Sequence, residues 1–155
     1  MIVVAKSPKE WQALAGFLQH YAKVAPSSDL QCIGWVSEQK LVMVVGLDGF
    51  LGGVAQIHVA YLPGWHYTPK AMLREVFRYA FVTAKREMLL GILNSKNEEA
   101  MNFDLRLGFR EVLRLPGMHE EGGDFVVLAM RKSECRYLKT SAEVTPIRRA
   151  AAGSA

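Results

Sequence analysis

The sequence predicts a single α/β (α+β) domain in which helices flank a mixed central sheet. Aliphatic runs of strand length recur along the chain, among them Leu41-Val-Met-Val-Val-Gly-Leu47 and Phe125-Val-Val-Leu-Ala-Met-Arg131. Between such runs lie segments with apolar residues at helical spacing and with helix ends written in their side chains. A strand–helix–strand succession at 54–61, 69–84 and 87–93 has the make-up of a right-handed crossover, so two strands run parallel while their flanking neighbours pair antiparallel.

The first element is a helix. Ser7-Pro8-Lys9-Glu10 supplies a cap, a proline at the first helical position and a capping-box glutamate, and Trp11, Leu14, Ala15, Leu18 and Ala22 form its buried stripe. Gln31–Val36 and Leu41–Leu47 are strands joined into a hairpin by the turn Ser37-Glu-Gln-Lys40. Asp48-Gly-Phe-Leu-Gly-Gly53 is a second turn, leading into the long strand Val54–Tyr61. Thr68-Pro69 reads as a cap plus first-position proline, opening a helix of about four turns to residue 84 whose stripe includes Met72, Leu73, Val76, Phe77, Ala80 and Phe81. Met88–Leu93 is wholly apolar, as a strand buried on both faces would be. A short helix follows, with Ser95 and Glu98 as a capping box, Ala100, Phe103 and Leu107 on one apolar face, and Gly108 at its left-handed end. Strands at Phe109–Leu115 and Phe125–Arg131 flank the loop Pro116–Asp124.

At 155 residues, half of them hydrophobic and 22% charged, the chain is globular in composition and long enough for one substantial core. Residues 1–138 are expected to form one domain and 139–155 a flexible tail, since the latter are small, polar and without apolar period. Lys139, Arg148 and Arg149 against Glu143 put half of the net charge of +4 into that tail, which argues against a nucleic-acid-binding face on the domain. No stretch approaches the roughly 20 apolar residues of a membrane helix, and no basic lead precedes an apolar run, so a soluble, cytoplasmic protein is expected. Cys32 and Cys135 have neither disulfide-framework nor metal-site spacing.

The motif with most information is Asn94-Ser-Lys-Asn97-Glu-Glu-Ala100 through Leu107-Gly108-Phe109, set between two strands. It resembles the acetyl-CoA-binding half of GNAT-type acyltransferases. A GNAT fold, with splayed central parallel strands and an acyl cofactor entering the gap between them, is what that resemblance implies over roughly residues 30–138. It further implies an acetyl-CoA-dependent N-acetyltransferase acting on a primary amine. The cofactor contacts then fall to Val59, Tyr61, His66, Tyr67, Thr68, Lys70, Asn94, Asn97 and Phe103. Tailed-phage and prophage proteins of GNAT type resemble the chain in Phe-Asp-x-x-Leu-Gly-Phe and in the late Gly-Gly-Asp loop. A homodimer is compatible with the resemblance.

Two positions depart from the family pattern. The turn ahead of the second helix, where GNAT proteins hold the pyrophosphate of coenzyme A on free helix amides, reads Trp65-His-Tyr-Thr-Pro-Lys70 without the usual glycines, so Lys70 and the Thr68 hydroxyl become the substitute donors. Asp104 stands where many members carry a tyrosine that protonates the departing thiolate; a carboxyl can do this only if burial raises its pKa. His58, on the strand lining the reaction centre, is the candidate base for an ammonium substrate. Glu38, Gln56, His119, Glu120 and Asp124 are the candidate acceptor contacts, carboxylates being suited to a cationic amine. Each has a plain alternative: a structural histidine, a solvated aspartate, a solvated acidic loop, a first-turn polar residue at Asn97 or an alternative cap at Asn94. The missing glycines and the missing tyrosine motivate a second reading, a non-catalytic acyl-CoA-binding or host-interaction protein on the same fold.

Overall fold

The computed structural model describes residues 1–138. In chain order these form β1 (Ile2–Val4), α1 (Pro8–Ala22), β2 (Gln31–Ser37), β3 (Lys40–Leu51), β4 (Val54–Tyr61), α2 (Lys70–Arg78), β5 (Met88–Asn94), α3 (Glu98–Leu107), β6 (Arg110–Leu115) and β7 (Phe125–Arg131). The expected tail at 139–155 lies outside the described residues. All seven strands join one sheet in the order β1-β2-β3-β4-β5-β7-β6. β4 and β5 are parallel, and every other neighbouring pair is antiparallel.

α1 follows its sequence signals. Ser7 Oγ accepts the Glu10 amide at 3.2 Å, and Lys23 ends the helix in the left-handed region. The Glu10 carboxylate reaches back to the Lys6 amide rather than to Ser7, so the capping box is closed one residue early. Leu14, Ala15 and Leu18 are buried against Val44 and Ala60 on one face of the sheet. Gly46 allows this approach: a Cβ there would stand 2.6 Å from a Leu18 methyl. On the opposite face Met72 and Val76 of α2 pack on Ile33, Met43 and Val45, while Leu73, Phe77 and Phe81 join Leu89, Val126 and Leu128 with Leu107 and Phe109 from the α3 end. Burying such side chains contributes about 1.5–3 kcal/mol each before entropy is counted.

Five expectations require correction. β1 is an additional strand, too short to show a period, held as the sheet edge by pairing with Ile33–Trp35. β3 runs on through the expected turn to Leu51, and its register with β4 shifts between Asp48 and Leu51, so the reversal is confined to Gly52-Gly53. Thr68 does not cap α2: Pro69 is the cap residue, with no side-chain bond, and the helix closes in a π turn over Tyr79–Thr83. Ser95 does not cap α3 either; its hydroxyl accepts the Asp124 amide, and Asn97 takes the cap through a bond from the Ala100 amide at 3.2 Å. β5 is not buried on both faces. Leu89 is fully buried under α2, whereas Ile92, on the face where α1 covers β2, β3 and β4, is 38% exposed.

The crossover pair decides the shape of the molecule's centre. β4 and β5 share register only at Val54↔Met88, Ala55↔Leu89 and Gln56↔Leu90. Beyond Gln56 they part, because β5 continues along β7 to Asn94 while β4 follows β3 to Tyr61.

Candidate active site

A cleft of about 890 Å³ occupies the gap between β4 and β5. Because the strands alternate their side chains and the gap passes through the sheet, both faces of β4 line it: Ile57, Val59 and Tyr61 from the α2 side, His58 from the α1 side. Ala100, Phe103, Asp104 and Leu107 form the α3 wall, spaced by one helical face. Gly108 allows α3 to stop there, at φ 111° with its amide returned to Asp104 and Leu105 carbonyls. The chain then turns at once into β6.

Asp104 is the notable group on that wall. Its carboxylate lies over Gly91 of β5, whose Cβ, were there one, would stand 3.2 Å from Asp104 Oδ2. Desolvation by burial is the cause that pushes its pKa up from 3.8 to about 7, with no hydrogen bond or neighbouring charge offsetting it. Tyr61 ends β4 in the same cleft, its ring edge-on to Phe103 at 6.5 Å between centroids. The Tyr61 hydroxyl is 2.8 Å from Thr68 Oγ1, which occupies the threonine that was expected to serve the helix start; burial raises the pKa of this phenol above its ordinary value.

On the α1 side His58 Nε2 is 2.7 Å from Asp48 Oδ1, both side chains mostly shielded from solvent. The mouth on this side is framed by Tyr21–Val24 at the end of α1 and by His119, Glu120 and Glu121. Lys23 Nζ meets Glu121 Oε1 at 3.3 Å across it. The loop carrying these residues is pinned by Asp124, which accepts the Gly117 amide at 3.0 Å and Arg114 Nη1 at 2.9 Å and whose pKa those two contacts lower. It is also pinned by Gly123, which lies so close to Asn94 that a Cβ would stand 1.7 Å from its Oδ1.

The structure gathers His58, Val59, Tyr61, His66, Asn94, Asn97, Phe103, Asp104, His119 and Glu120 around one cleft. Six other candidates stand outside its lining. Tyr67 and Lys70 are exposed beyond Trp65 and His66, and Thr68 is turned onto Tyr61. Glu38 is exposed at the tip of the β2–β3 turn, at φ 47°. Gln56 sits at the last position of β4 that pairs with β5, against Gly49, and Asp124 holds its own loop instead of facing the cleft. Tyr21 and Lys23 line the cleft without any local signal to mark them, since the fold alone carries the end of α1 to that mouth, while Lys96 and Glu99 line it from within the Asn94–Phe109 segment. Asp48 was legible only as a turn residue. Cys32 and Cys135 are buried, with thiol pKa raised by desolvation, the former to about 11, which suits inert packing groups.

No family model and no curated protein matches the sequence. Solved structures do match the fold. Spermidine N-acetyltransferase from Vibrio cholerae, solved with CoA and spermine, superposes with a TM-score of 0.67 over 90% of this chain and 98% of its own, at 11% identity. An acetyltransferase of the GNAT family from Streptococcus pneumoniae gives 0.67 over 84% and 98% of the two chains at 14% identity. The ribosomal-protein-S18-alanine N-acetyltransferase from Escherichia coli gives 0.65 over 84% and 92%, also at 14% identity. The chain therefore has the GNAT fold, with its mixed sheet flanked by helices.

Proposed function

We propose that this protein is an acetyl-CoA-dependent N-acetyltransferase that acts on a primary amine. The observation that carries the reading is the cleft through the sheet, with the protonatable Asp104 on its α3 wall and His58 on the opposite face of β4. The structural neighbours that bind CoA and acetylate amines support the same chemistry.

The residues suit the cofactor. The first amides of α2 carry no side-chain cap, which leaves them for an anion, and the exposed Lys70 adds a cation beside them. Phe103, Ala100 and Leu107 make the apolar wall along which a pantetheine arm lies, with Asn97 at its start. Acetyl-CoA supplies an acetyl group activated as a thioester. Past Gln56 the β4 amides have no β5 partner, and they provide donors for the carbonyl oxygen as it gains charge. Asp104, half protonated near neutrality at a pKa of about 7, gives its proton to the leaving thiolate. The amine enters from the α1 side, where Glu120 favours a cation.

Calorimetry with acetyl-CoA, followed by a thioester-turnover assay across an amine panel, tests this. Saturable binding together with acetyl transfer to at least one amine is the expected result; no binding at millimolar acetyl-CoA overturns it. The glycine-free turn and Pro69 at the helix start favour a second reading, a non-catalytic acyl-CoA-binding protein. Binding without turnover of any amine supports that reading.

A further inference from the structure

Asp48 and His58 belong to different strands but share one face of the sheet. Asp48 faces Gln56 across the β3–β4 ladder and Gly46 faces His58, so the aspartate and the histidine are diagonal neighbours on the α1 side. Asp48 is the last β3 residue in regular register before the shift, and ladder irregularities of this kind recur next to active sites, where they re-aim side chains. His58 Nε2 and Asp48 Oδ1 are 2.7 Å apart. Ser27, the other donor near Asp48, lies 3.4 Å from Oδ2 but only 2.8 Å from Asp29, and its single proton goes to the closer carboxylate. The short contact of Asp48 is thus with His58. An N–H at Nε2 in that contact leaves the Nδ1 lone pair as the free one, on a ring that lines the cleft.

We infer that Asp48 is a positioning residue that holds His58 in the tautomer and orientation of a general base for the amine acceptor. The inference rests on the acetyltransferase reading. His58 Nδ1 takes one proton from the substrate ammonium, and the imidazolium so formed keeps its Nε2–H on the Asp48 carboxylate. The neutral amine then forms the new C–N bond as the C–S bond breaks. The thiolate receives its proton from Asp104, the amide nitrogen's surplus proton restores Asp104, and His58 releases its own to water, so each turnover frees one proton.

The test compares wild type, Asp48→Asn, His58→Gln and the double variant. It uses acetyl-CoA and whichever of spermine, an alanine-initiated peptide or a simple alkylamine the wild type turns over fastest. Expected is a kcat at least tenfold lower in Asp48→Asn with acetyl-CoA affinity unchanged. The double variant should be no slower than His58→Gln, as for two groups acting as one unit. A wild type that acetylates an amine while Asp48→Asn stays within twofold of it in kcat overturns the dyad alone. A wild type inactive on every amine overturns the enzyme reading and the base role with it.

Discussion

Asp104 illustrates how much a single position depends on what surrounds it. On a solvated helix it would be an ordinary carboxylate; over Gly91, with no compensating donor, its pKa rises to about 7. The raised value means that the folded state holds the proton more tightly than the unfolded chain does. Its contribution to stability is therefore complete below about pH 4 and is lost as pH climbs through about 7. Asp104→Asn should be more stable than wild type by about 4 kcal/mol at pH 8, with the difference shrinking toward pH 4, as measured by denaturant midpoints. If Asp104 is also the acid, wild-type kcat should fall above pH 7, and the variant should be roughly tenfold slower at pH 6.5 with that basic limb gone, as read from stopped-time thiol release. At Gly123 the relevant quantity is space. Gly123→Ala forces its Cβ onto Asn94 Oδ1, so the Asn94 side chain or the loop bearing Glu120 and Glu121 must shift. The expected readout is a severalfold higher KM for the amine.

Among the elements, α3 shows the same residue serving architecture and site together. Asn97 caps the helix through the Ala100 amide, and it also stands at the cleft wall. Removing the cap costs about 1 kcal/mol, so Asn97→Ala should lower thermal stability by that amount, while Asn97→Ser keeps the cap and most of the stability. A larger loss of acetyl-CoA affinity in Asn97→Ser than its stability explains would mark a direct cofactor contact, measured by calorimetry on both variants. α1 depends instead on close approach. Gly46→Ala pushes a methyl into the fully buried Leu18, and overpacking there should cost about 1–3 kcal/mol in urea unfolding without altering acetyl-CoA binding.

At the scale of the whole molecule, the cleft exists because β4 and β5 stop pairing after Gln56 and Leu90. A gap through a sheet has no covalent source; it follows from β5 being held by β7 along its full length while β4 is held by β3. A ligand that fills the gap binds only the folded state. Acetyl-CoA at a hundred times its dissociation constant should therefore stabilise the protein by about 2.7 kcal/mol, visible as a rise in melting temperature that free acetate does not produce. Free coenzyme A should give most of that shift, since most of the expected contacts fall on the nucleotide and pantetheine parts.

Local sequence determined the elements wherever capping chemistry and periodicity are strong: Ser7 at the start of α1, Gly108 at the end of α3, and the parallel crossover of β4, α2 and β5. It misassigned what local chemistry leaves degenerate. Ser95 and Asn97 can each cap a helix, and Thr68 can cap α2 or reach Tyr61; the choice depends on where the Asp124 amide and the Tyr61 hydroxyl come to rest. Much of the cleft lining was legible because it sits on strand β4 and helix α3, whose periods assign faces. Tyr21, Lys23 and the Asp48–His58 contact were not, since each depends on residues brought together across the sheet by packing rather than by spacing along the chain. The raised pKa of Asp104 belongs with these, for burial is a property of the assembled fold and has no local signature.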